Sequence, residues 1–187
     1  MSRVRFEQLV GEAIVSLAQD MKAVLRIVED PEIDDVSRES AAGALIHVLS
    51  GPNVIPGMRG ILGYVDDVLV LRLVLERIER SSPEAMARHR EQSPELLEPL
   101  VEQLETVRAY LGTLVSVLEG AVDGLPKLTH LGHTPRQCVE DAEGTTWLYD
   151  EVQEAIVEQL EFDEDEVNRE VKHVDRILEA LRTRIGP

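Results

Sequence analysis

Three histidines and the only cysteine carry the ligand-like spacings of this sequence. His130-x-x-His133-x4-Cys138 offers two imidazoles and a thiol, with Glu140 and Asp141 just beyond. Zinc takes such nitrogen and sulfur ligands in closed four-coordinate sites. The spacing matches no standard finger, and a loop with two solvated histidines and a free thiol explains the same residues. Cys138 with a loop histidine also has the parts of a nucleophile and its base. It lacks an orienting third group, and it precedes Glu140, Asp141 and Glu143, whereas reactive thiols favour electropositive surroundings. Glu170-x-x-His173 is the i, i+3 pair of di-iron carboxylate bundles, which need that pair twice and a glutamate from each of two further helices. There is no second E-x-x-H here, and His173 falls on the outer side of its helix. No complete catalytic or metal set is formed, and no cofactor is expected.

Two successive carboxylates, Asp66 and Asp67, open the most apolar helix of the chain. With Gly63 as N-cap they lie in its first turn, where the helix dipole and free backbone N–H groups stabilise negative charge. A helical wheel separates them. Asp66 falls on a polar stripe with Arg72, Glu76, Arg77, Glu79 and Arg80. Asp67 falls with Val70, Leu71, Val74, Leu75 and Ile78. A helix this apolar is central to its domain, so a carboxylate on its core face needs partners. The neighbouring candidates are His47, Asn53, Arg59 and the backbone N–H groups of the preceding loop.

That loop, residues 51–63, has four glycines and two prolines, yet also Val54, Ile55, Met58, Ile61 and Leu62. A solvated linker would not carry five large apolar residues, so it is read as a corner folded onto the core, with glycines supplying positive φ or close approach. Gly57-x-x-Gly60-x-x-Gly63 lacks the pattern and the preceding strand of a phosphate loop.

From Ser50 to Asp67 the sequence SGPNVIPGMRGILGYVDD resembles the bacterial family known as DUF1232, or YkvA-like, whose pattern is roughly S-P-x-D-x-I-P-D-x-I-P-x-L-G-Y-x-D-D before an apolar helix. Ser50, Ile55, Pro56, Leu62, Gly63, Tyr64, Asp66 and Asp67 match. The likeness covers about residues 40–80. Asn53 and Gly57 stand where the family usually has aspartate, and Gly60 where it has proline. Any metal or proton site built from the family's four aspartates would be half kept here. The resemblance implies a small helical protein, and some members are membrane-associated. It implies no particular activity.

Nineteen basic against 36 acidic residues give a net charge of −17. That argues against nucleic acid, whose backbone calls for a basic patch, and against an anionic membrane surface. Aromatic residues are only 3% of the chain, so the core must be aliphatic. The single cysteine excludes an internal disulfide framework and fits a reducing cytoplasm. Acidic residues interrupt the N-terminal segment, so no signal peptide is read there.

The remaining segments read as amphipathic helices. Val10, Ile14, Leu17, Met21, Val24 and Val28 form a heptad seam over 4–29, ended by Asp30-Pro31. Ser37 is expected to cap a helix to about Leu49. Ser82-Pro83 and Ser93-Pro94 start further helices, and Pro99 kinks the second or marks its true start. Leu97, Leu100, Leu104, Val107, Leu111, Leu114 and Leu118 give another seam, weakened at Gly112. Residues 120–144 show no periodicity and are read as a long loop. Thr145 or Thr146 opens the next helix. Asp163 and Glu166 form a capping box for a last helix with Val167, Val171, Val174, Leu178, Leu181 and Ile185.

The expected fold is all-α: a multi-helix bundle with long heptad-patterned helices and a buried central helix after a Gly/Pro corner. It forms a single domain over 1–187, divisible into a DUF1232-like part to about residue 90 and an acidic part beyond. Thirteen acidic residues and only Arg169 as a base lie between Glu140 and Glu170. The expected function is a non-enzymatic cytoplasmic interaction protein, an adaptor or regulator, docking a basic partner through Asp150, Glu151, Glu154, Glu158 and Glu161. A heptad seam not spent on the core would serve a partner or a second copy of the chain. The competing readings are a peripheral membrane protein using the corner 54–62 and a metal-dependent enzyme.

Overall fold

The computed structural model describes residues 2–51 and 53–186. They form twelve α-helical segments with no strand among the described residues. The order is α1 (Ser2–Val15), α2 (Leu17–Val28), α3 (Asp35–Ser50), α4 (Val65–Ser81), α5 (Pro83–Gln92), α6 (Pro94–Leu97), α7 (Leu100–Leu111), α8 (Val115–Gly124), α9 (Pro135–Glu140), α10 (Ala142–Glu158), α11 (Glu164–Glu170) and α12 (Asp175–Ile185). One apolar cluster runs from Phe6 to Leu181 and draws on both halves of the chain.

Helices α3 and α4 pack on each other at the middle. Helix α3 also meets α2, α9 and α10, and α4 meets α1, α5, α7 and α8. Every residue of α4 from Val65 to Leu75 is buried. The helical wheel therefore misplaced Asp66 and Arg72, which are 1% and 3% exposed. Periodicity reports the composition of a face, and here neighbours cover even the polar face. The helix also starts later than expected. A 3₁₀ turn spans Gly60–Tyr64 and Tyr64 occupies the N-cap, so Asp66 and Asp67 are the second and third helical residues.

The seams of the sequence hold their positions while the helices bearing them break. Each seam residue from Val10 to Val28 and from Leu97 to Leu118 is buried. Ser16 interrupts the first seam, where its hydroxyl bonds Ala13 O and Asp20. The second is cut at Pro99 and again at Gly112, whose φ of 56° ends α7. The last helix passes through a 3₁₀ turn at Val171–His173. The N-cap of α3 is Asp34, which accepts from Ser37 N and Ser37 Oγ at 2.8 and 2.7 Å. Ser37 thus lies inside the first turn rather than capping it. Asp163 caps α11 by accepting from Asp165 N and Glu166 N.

The expected long loop at 120–144 is mostly helical. Helix α8 reaches Gly124, a 3₁₀ turn follows at Leu125–Lys127, and α9 occupies Pro135–Glu140 under a Thr134–Gln137 capping box. Helix α10 begins three residues before Thr145. It lies against α9 so closely that a Cβ at Gly144 would stand 2.3 Å from Gln137 O. These segments are too short to show a period, and Gly144 reads as a breaker although it serves close packing.

The buried charge of α4 is matched by α2. The Arg72 guanidinium donates to Asp20 Oδ2 at 3.3 Å, to Gln103 Oε1 at 2.9 Å and to Val68 O at 3.1 Å. Burial pushes the Asp20 carboxyl up, and Arg72 opposes that shift. Removing one member leaves the other uncompensated in the interior. Arg72→Met is expected to cost about 3–5 kcal/mol of unfolding free energy in urea. Adding Asp20→Leu should recover much of that, and a cost under about 1 kcal/mol would mean the pair does not hold α2 to α4.

Candidate functional site

Helix α3 ends at Ser50, the corner 51–63 turns the chain, and α4 begins at Val65. The corner keeps its apolar residues inward: Ile55, Ile61 and Leu62 are buried, and Val54 and Met58 are half-buried. Gly51, Gly57 and Gly60 take φ between 59° and 75°, which the reversal of the chain requires. Asn53 ties the corner to itself, with Nδ2 donating to Met58 O at 2.9 Å. Pro56 is exposed at its tip. Gly63 is half-buried with an ordinary φ.

This turn brings the last part of α3 over the first turn of α4. His47 Nε2 lies 3.1 Å from Asp66 Oδ2 and 3.3 Å from Asp67 Oδ1. All three residues are buried. Val54 N donates to the same Asp66 Oδ2 at 2.8 Å, while Asp66 Oδ1 is buried without a hydrogen-bond partner. Of the four kinds of partner named for a buried carboxylate, His47 and a loop N–H are found. Asn53 bonds elsewhere, and Arg59 is exposed. The helical wheel had set the two aspartates on opposite sides, but both converge on one imidazole.

The electrostatics follow from that proximity. Burial pushes the Asp67 carboxyl up to about 9, and the charge of Asp66 adds to the rise. The same burial, with Asp67 beside it, raises the Tyr64 phenol. The Tyr64 ring packs edge-on against Phe162, centroids 4.9 Å apart, and so joins the corner to the chain after α10. Among the described residues, His47, Asp66 and Asp67 are the one group of three His, Cys, Asp or Glu side chains whose donor atoms all lie within 4.8 Å of one another.

Clefts reach the cluster from two sides. One of about 260 Å³ is lined by His47, Asn53, Val54, Leu125 and Arg184. Another of about 300 Å³ is lined by Asp67, Asn53, Tyr64, Ala155 and Leu160. Arg184 of α12 donates to Val54 O at 2.5 Å, so the backbone of Val54 is held through both its N–H and its carbonyl.

The loop residues marked by their spacing serve otherwise. His130 and His133 exchange backbone hydrogen bonds across a two-residue turn, Leu131-Gly132, in which both residues have positive φ. The His133 ring stacks on Trp147 at 4.1 Å. Cys138 is buried, and burial lifts its thiol to about 11. The three do not converge as a ligand set among the described residues. His173 is exposed.

The acidic residues of α10 lie as expected on its outer side. Asp150, Glu154 and Glu158 are exposed, Glu151 is half-exposed, and Glu161 is exposed in the connector that follows. None of the five has a hydrogen-bonding or ion-pairing side-chain partner among the described residues, while nine arginines from Arg3 to Arg136 are paired with other carboxylates. Tyr149 and Val157 are 47% and 79% exposed on the same helix.

No family model matches the chain, and no curated protein or solved structure is similar to it.

Asp67 gives the metal-free chain a pH dependence of definite sign. Its native pKa near 9 lies above the ordinary carboxylate value. Between roughly pH 4 and 9 the native state thus holds a proton that the unfolded state has lost. Stability is full below that window and falls as pH rises through it, by at most about 1.4 kcal/mol per pH unit. Asp67→Asn, neutral throughout, should flatten the urea midpoint against pH and exceed the wild type at pH 8. A wild-type profile that rises across this window would refute the assignment.

Proposed function

We propose that this chain is a helical interaction protein, an adaptor or regulator, whose outer α10 surface docks a basic segment of a partner protein. The observation that carries this reading is the uncompensated charge at Asp150, Glu151, Glu154, Glu158 and Glu161 beside exposed Tyr149 and Val157. A carboxylate rim around apolar contact area is the composition of a recognition surface: the apolar part supplies affinity, and the charge supplies orientation and association rate. Other exposed carboxylates without an arginine partner among the described residues, such as Glu84, Glu91 and Glu102, lie on other helices, so what sets the α10 group apart is its nearness in sequence to exposed Tyr149 and Val157.

The likeness of Ser50–Asp67 to the DUF1232 pattern implies a helical protein and no particular activity, so it bears on the fold and not on this reading. A membrane role through the corner 54–62 is less well supported, because Ile55, Ile61 and Leu62 face the core. No helix of the described residues is long and apolar enough to cross a membrane.

The test is association with a partner cross-linked to the chain in its native cell at low salt. Glu154→Lys with Glu158→Lys should slow association by about tenfold or more at low ionic strength. The unfolding free energy should stay within about 0.5 kcal/mol of the wild type, because both positions are exposed. Wild-type binding should weaken steeply between low and physiological salt. Equal rates and equal salt dependence for the two proteins would reduce the acidic face to a solubilising surface.

A further inference from the structure

The His47–Asp66–Asp67 cluster has the makings of a cation site independent of the docking surface. We infer that it binds one divalent first-row transition metal ion through His47 Nε2 and a carboxylate oxygen from each of Asp66 and Asp67.

The donor set comes first. One imidazole and two carboxylates suit zinc, manganese or ferrous iron, and suit magnesium or calcium poorly because those ions favour oxygen alone. Geometry is next. Adjacent ligands on a metal with bonds of about 2.1 Å stand roughly 3.0 to 3.4 Å apart in octahedral or tetrahedral arrangements. The imidazole nitrogen stands 3.1 Å and 3.3 Å from the two carboxylate oxygens. A small inward or outward shift of the side chains then suffices to seat an ion against all three.

An independent sign is the unmet bonding capacity of Asp66. Its residue is 1% exposed, yet Oδ1 has no hydrogen-bond partner. Buried polar atoms in native structures are almost always paired, and an orphan calls for a specific cause such as a bound ion. The other oxygen, Oδ2, is the one 3.1 Å from His47 Nε2; it also accepts from Val54 N at 2.8 Å, a hydrogen bond of the kind that orients a ligating carboxylate. Arg184 fixes the next peptide by donating to Val54 O. The ligands sit on the ends of two packed helices, so their spacing is set by rigid elements, and the cleft beside Asp67 and Asn53 gives a path from solvent. Three protein donors leave coordination positions for water or a small ligand entering by that cleft.

The test uses the full-length protein, stripped with a chelator and dialysed against zinc or manganese ions, followed by elemental analysis. One equivalent should be retained, and the melting temperature should rise with metal concentration. Asp66→Asn and Asp67→Asn should each weaken binding by about tenfold or more, since even supporting residues of metal sites contribute that much. Circular dichroism should show each variant folded, and His47→Gln provides a third variant at the remaining ligand. Cys138→Ser and His133→Ala should bind as the wild type does, and the cobalt-substituted protein should lack a thiolate charge-transfer band. A folded wild type that retains no metal overturns the inference. So does an equivalent that survives the double substitution Asp66→Asn with Asp67→Asn, or one that is lost on Cys138→Ser.

Discussion

The structure turns on the charges inside α4. From Val65 to Leu75 that helix has no solvated face on which to place Asp66, Asp67 and Arg72, and an ionisable group in the interior must be paired or neutralised, since an isolated charge there costs several kcal/mol even after relaxation. Each is met from a different element: the aspartates by His47 of α3 and by Val54 N, the arginine by Asp20 of α2 and Gln103 of α7. Apolar attraction is non-directional, and polar groups inside the core add a directional constraint to it. Hydrogen bonds between buried polar side chains are directional, and they tie α2, α3 and α7 to the central helix. The scarcity of aromatic residues makes this more telling, because few large rings are present to key the core by shape.

The corner before α4 extends those ties to the end of the chain. Val54 bonds Asp66 through its N–H and Arg184 of α12 through its carbonyl, and Tyr64 packs on Phe162. The apolar cluster runs without interruption from Phe6 to Leu181. The corner with its flanking helices and the acidic helices therefore share one core. Tyr110 adds a link at the other end, stacking on Phe6 of α1 while its hydroxyl donates to Asp175 of α12.

Much of this was legible from the seams. The positions that repeat every three or four residues, such as Val10 to Val28, are the ones buried, because burial selects for period. The breaks at Ser16 and Gly112 were less visible, since a heptad continues in phase across a single irregular residue. The site was half legible. That a buried Asp67 needs a partner, and that His47 is a candidate, follows from desolvation alone. That Asp66 joins it does not follow from a wheel, because a wheel assumes a solvated side and α4 has none from Val65 to Leu75. Helix α9 and the tight α9–α10 contact at Gly144 carry no periodic signal at all. A glycine chosen for close approach has the same appearance in sequence as one chosen for a loop.

Helix α10 connects the surface with the interior. Ala155 and Leu160, from its inner side and the residues just after it, border the cleft at Asp67, while Glu154 and Glu158 face outward. The carboxylates of this face lie within a turn or two of the cleft and contribute to one negative field, on a chain whose net charge is −17. Such a field raises the local concentration of any cation, whether a basic segment of a protein or a metal ion. The two differ in what happens after arrival. A basic segment is held at an exposed surface, where salt screens the attraction. A small ion can pass the cleft to donors that are already desolvated, where screening is weak and the fit of the ligands decides occupancy. Under the proposed docking and cation-binding roles, the same excess of carboxylates would serve a solvated surface and a buried cluster by different physics, with α10 contributing residues to both.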